Sequence, residues 1–125
     1  MTTFWIGNIY LLLAMLCAAG SHVLFKALLN EIGPLGFNWN SLYALFSYGR
    51  SARAFLAAML LIAGFLFWIL SLSRLNISYA YPIASASALL VTFFSVLFLE
   101  EAVSVRMWWG TALIVLGTIL LAPSG

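Results

Sequence analysis

The chain has 125 residues, of which 66% are hydrophobic and 6% charged, and its net charge is +2. A soluble domain carries about 25% charged residues, so this composition excludes a soluble enzyme or binding module, and so small a net charge gives no sign of a nucleic-acid partner. The expected fold class is an all-α integral membrane protein: each crossing needs roughly 20 apolar residues, so the length holds four spans with short connections and no soluble domain.

The first span is expected over residues 4–29. Trp5 and Tyr10 stand near its start, where interfacial aromatics belong. Its middle is small-sided (Ala14, Cys17, Ala18, Ala19, Gly20, Ser21), which lets another helix approach closely. Cys17 reads as a small apolar packing residue, and a lone cysteine forms no internal disulfide. Residues 1–3 hold no Lys or Arg, and the apolar run is too long for a signal peptide, so it reads as a retained helix. His22 and Lys26 follow, four apart and so on one face.

Asn30-Glu31-Ile32-Gly33-Pro34 stops the helix. Residues 38–50 then read as a short segment lying in the membrane interface, with Leu42, Leu45 and Phe46 on one side. A re-entrant or irregular loop is the competing reading. The second span is expected over 54–73, free of charge and internal proline, and Arg74 ends it. Only Leu75 to Ser78 separates it from the third, expected over 79–99, so the two form a tight antiparallel hairpin. The third span carries Tyr79, Tyr81, Pro82, Ser85 and Ser87 in its first half, where a plain anchor needs only Leu and Val. Such a face packs against other helices or lines a polar path. The fourth span is expected over 105–122, with a seam of Gly110 and Gly117.

Four crossings put Lys26, Arg50, Arg53 and Arg106 on one side of the membrane and Arg74 on the other. The excess of basic residues places loops 1 and 3 in the cytoplasm and both termini outside. No ionisable side chain falls at the midplane, where a charge costs at least about 2.5–3.5 kcal/mol and would mark function. That emptiness argues against proton-coupled cation antiport, which needs a carboxylate at depth. Lys26 reads either as a helix-end lysine snorkelling to the interface or as a contact for an anionic head group. Arg50 and Arg53 would add to such a site or simply anchor the chain on anionic lipid. His22 lies one turn deeper, as a packing residue or a ligand contact. Glu100 and Glu101 are candidates to pair with Lys26 or Arg106. One His and one Cys make no metal site, and no cofactor loop or catalytic set is present, so the chain reads as a non-enzyme without metal or cofactor.

Ala80-Tyr81-Pro82-Ile83-Ala84-Ser85, with Glu101-Ala102-Val103-Ser104 followed by Trp109-Gly110, Ile114 and Gly117, resembles the signature of the drug/metabolite transporter (EamA-like) superfamily. At four spans the chain is similar to its small multidrug resistance branch, and with Ala-Tyr-Pro it looks closest to subunits proposed to flip aminoarabinose-phosphoundecaprenol across the bacterial inner membrane. The drug-exporting members carry a glutamate in mid-helix 1, at the position of Ala18 here, so proton/drug exchange is not carried over. The first connection is also longer than in the small exporters.

The resemblance implies half a transporter, assembled as a homodimer or a heterodimer with a similar small membrane protein. The favoured expectation is a subunit that translocates a lipid-linked sugar. Its phosphate would meet Lys26, with Arg50 or Arg53, and its sugar would pass the Tyr79, Tyr81, Ser85 and Ser87 face. A small cation or metabolite exporter and a non-transporting accessory subunit are the alternatives.

Overall fold

The computed structural model of the chain describes residues 1–121, so the last residue expected in the fourth span, Ala122, lies outside the described residues. The described chain is all-helical: α1 (Thr2–Ile32), α2 (Trp39–Tyr48), α3 (Ala52–Leu72), α4 (Ile77–Ala84), α5 (Ser87–Leu99) and α6 (Val105–Leu121). α1, α3 and the α4–α5 run are long and apolar enough to cross a membrane, and α6 is a shorter apolar helix. Four spans result, with α2 joining the ends of α1 and α3 on the side of Lys26.

α1 and α3 form the closest pair, because small residues meet at their crossing. A Cβ built on Gly64 would stand 3.2 Å from Cys17 Cβ, 3.3 Å from Ala18 N and 3.4 Å from Ala14 O. The buried Ser21 hydroxyl donates to the Ala57 carbonyl at 3.0 Å, a polar tie within the small-residue crossing. At the opposite end, Gly7 is pressed against Leu75, and Leu11, Leu75 and Ala80 form the core with Phe4, Trp68 and Tyr79 packed around them. Arg74 lies over the Tyr10 ring, its guanidinium carbon 5.0 Å from the centroid, so this end also holds its cation by a ring face.

α1 stops at Gly33, whose φ of 91° and ψ of −173° lie in a region open only to glycine. Asn38 Oδ1 accepts the Ser41 N–H at 2.8 Å and starts α2, and the Ser51 hydroxyl oxygen accepts the Ala54 N–H at 3.2 Å and starts α3. α2 buries none of its residues against the rest of the chain, and Trp39, Tyr43 and Phe46 are each largely exposed.

The expected third span over 79–99 lies within a run, Ile77–Leu99, long and apolar enough to cross, and its helix is interrupted at Ser85–Ala86. Pro82 brings no N–H to the ladder. The Ser85 hydroxyl then donates to the Pro82 carbonyl, and the Ala86 N–H turns to Ile83 O at 3.0 Å instead. Ala88 and Leu89 likewise bond three residues back, at 3.1 and 3.0 Å, so the backbone tightens through the break. Thr118 of α6 also reaches the Pro82 carbonyl, at 3.4 Å.

Candidate functional site

Lys26 sits in the second-to-last turn of α1 and is exposed. With His22, one turn deeper, it lines a cleft of about 280 Å³ between α1, α5 and the α5–α6 connection. Thr92 and Ser95 line it from α5, and Glu101 closes it from the connection. The Thr92 hydroxyl donates to Ala88 O and that of Ser95 to Thr92 O, each at 2.8 Å, so both oxygens keep acceptor capacity toward the cleft. Neither hydroxyl was flagged by sequence reasoning. The available signal was their spacing, three apart on one face of a mostly apolar helix.

Two adjacent glutamates end α5, and the backbone separates their roles. Glu100 takes a left-handed conformation, φ 52° and ψ 31°, and is exposed. The chain doubles back, the Glu101 N–H bonds to Ser95 O at 3.3 Å, and Glu101 is half-buried against the cleft. The expected pairing of Glu100 or Glu101 with Lys26 or Arg106 is not formed. Among the described residues the ion pair is Arg53 Nη1 to Glu31 Oε1, at 2.7 Å. It ties the end of α1 to the start of α3 beneath the long connection. Exposed as it is, it contributes less than about 1 kcal/mol. Arg53 is therefore engaged, while Arg50 and Arg106 are exposed beyond the cleft lining.

The residues expected along a sugar path do not share one surface. Tyr79 turns inward: its hydroxyl donates to Asn8 Oδ1 at 3.2 Å, and its ring lies 5.6 Å from that of Phe4. Tyr81 is exposed, edge-on to Trp68 at 6.0 Å. Ser85 is exposed and spends its proton on Pro82. Ser87 enters a second groove of about 220 Å³ between α1 and α3, with Ala18, Gly64 and Trp68 on its walls. Ala18, the position of the drug exporters' glutamate, thus faces an apolar groove. A desolvated carboxylate there would find no cation among the groove's lining residues.

Four apolar helical segments, a charged cleft at one end and no Asp, Glu, Lys or Arg between residues 75 and 99 define a multi-pass membrane protein of the helical type. The chain belongs to the EamA-like transporter family, whose profile matches residues 5–122. It is 32% identical over 111 residues to the probable 4-amino-4-deoxy-L-arabinose-phosphoundecaprenol flippase subunit ArnE of Pseudomonas fluorescens, covering 89% of this chain and 92% of the relative. The namesake from Pectobacterium atrosepticum is 44% identical over 66 residues, 53% of this chain and 58% of the relative. That from Aeromonas salmonicida is 42% identical over 59 residues, 47% of this chain and 52% of the relative. These last two matches thus span little more than half of the relatives' own length. No solved structure gives a significant match.

Proposed function

We propose that the chain is a subunit of a translocase that carries a polyprenyl-phosphate-linked sugar across the bacterial inner membrane. The observation that carries this reading is Lys26, a cation at the mouth of a cleft, without an ion-pair partner among the described residues. An ammonium at a helix end, level with lipid head groups, suits a phosphate as a point charge. The relatives, flippase subunits for an aminoarabinose-phosphoundecaprenol, suggest the substrate class. Loops 1 and 3 face the cytoplasm in this reading, so the head group is taken up from the cytoplasmic leaflet, with its tail left in lipid beside α5 and α6. Arg50 sits on the same side as an auxiliary charge. No covalent bond is made or broken. The working unit is a dimer, with a second copy or a similar small membrane protein, because one set of four short spans encloses little polar volume.

The test is reconstitution in vesicles with 4-amino-4-deoxy-L-arabinose-phosphoundecaprenol in one leaflet, following its arrival in the other with a membrane-impermeant amine reagent. Lys26→Ala should slow arrival at least about tenfold, the worth of one charge-assisted hydrogen bond. Unchanged transfer in that variant would sink the role given to Lys26.

A further inference from the structure

The cleft carries one cation and one carboxylate that do not neutralise each other. Lys26 and Glu101 both line it, from different elements, yet no ion pair within 4.0 Å joins them. Lys26 comes from α1 and Glu101 from the turn that follows α5. The left-handed turn at Glu100 is what brings Glu101, and not its neighbour, to the cleft. The same cleft is lined by the hydroxyls of Thr92 and Ser95, and by His22, one helical turn from Lys26. A purely anionic ligand in this cleft would find Glu101 repulsive, and a purely cationic one would find Lys26 so. The arrangement suits a ligand that carries both charges on one small polar body.

We propose that Glu101 selects a zwitterionic head group: its carboxylate binds a protonated sugar amine while Lys26 binds the phosphate, with the sugar ring spanning the gap. This rests on the lipid-linked sugar reading given above and adds to it the residue that tells an amino sugar from a neutral one. Glu100 is excluded from the role by its exposure outside the cleft. Arg106, the nearest cation in sequence to Glu101, is exposed, lies outside the cleft lining and forms no ion pair with it.

The experiment is lipid binding by native mass spectrometry, on the complex as released from its own membrane, with three probes. They are 4-amino-4-deoxy-L-arabinose-phosphoundecaprenol, its N-acetylated derivative, in which the amine is neutral, and undecaprenyl phosphate. The wild type should prefer the free amine over the N-acetylated lipid by about tenfold. Glu101→Gln should bind both equally, Glu100→Gln should keep the preference, and Lys26→Ala should weaken all three probes. A preference that survives Glu101→Gln, or that disappears in Glu100→Gln alone, overturns the assignment and leaves the lipid-linked sugar reading standing. Wild-type protein that holds none of the three probes above bulk phospholipid overturns both. Should Glu101→Gln bind nothing, Glu101→Asp decides: a kept preference supports the carboxylate, and equal binding of the two sugar lipids overturns it.

Discussion

Gly64 shows how one missing side chain sets the spacing of two helices. The atoms a Cβ would meet include the Ala18 nitrogen at 3.3 Å and the Ala14 oxygen at 3.4 Å, backbone atoms that move only if α1 moves. Gly64→Val should therefore destabilise the protein by about 1–3 kcal/mol through overpacking, read as a lower midpoint of thermal unfolding in detergent. Gly20, on the same crossing, offers a contrast: its added Cβ meets only Leu60 Cδ1, at 3.5 Å, so Gly20→Ala should be tolerated. At Glu100 the strain runs the other way. A left-handed non-glycine residue costs roughly 1–2 kcal/mol, and glycine returns about 0.5–1 kcal/mol of that as lost unfolded-state advantage. Glu100→Gly should thus raise stability by about 0.5–1 kcal/mol, and a lowered unfolding midpoint would show that the turn is held by the glutamate side chain instead.

Among the elements, the broken third span differs most from its expected form. Pro82 was visible in the sequence and its missing donor could be foreseen. What could not be foreseen was that the Ser85 hydroxyl would occupy the Pro82 carbonyl and divert the Ala86 N–H to Ile83. Hydroxyls that bond back along a helix tend to bend it. Ser85→Ala removes one of three donors on the Pro82 carbonyl, leaving the Ser85 N–H and the Thr118 hydroxyl, so the Ala86 N–H gains room there and hydrogen exchange of the 85–89 amides should slow. Unchanged exchange would assign the break to the proline alone. The bounds of α1 also differ from expectation, at Thr2–Ile32 against 4–29. The polar Asn30 and Glu31 still take helical geometry, and the stop is made by Gly33. Hydropathy marks where apolar residues end, whereas backbone geometry marks where the helix ends.

For the molecule as a whole, the four apolar segments were legible because lipid demands long uninterrupted runs, and Lys26 was legible because charge is rare here. Two features were not, since both depend on folding distant or adjacent residues against each other. Arg53 and Glu31 lie 22 residues apart, and their meeting requires the ends of α1 and α3 to come together. Tyr79 read as part of a path, yet its hydroxyl is taken by Asn8, 71 residues away.

The assembly prediction also belongs to this scale. Added Cβ atoms on Gly110 and Gly117 meet nothing within 4 Å, so the seam of α6 is open in the single chain. Gly110→Val with Gly117→Val should leave the fold of the chain intact while lowering the fraction of dimer seen by cross-linking in membranes. An unaltered dimer would place the subunit contact on another helix.

The tightened backbone at Ser85–Ala86 has a geometric consequence for the cleft. α5 spans 13 residues from that point to Leu99, a lever of about 20 Å. Each 10° or so of swing at this pivot would carry its far end through about 3 Å, enough to make or break a hydrogen bond. Glu101 rides on that end and Lys26 does not, so a small rotation in the depth of the membrane becomes a change in the span between two opposite charges at its surface.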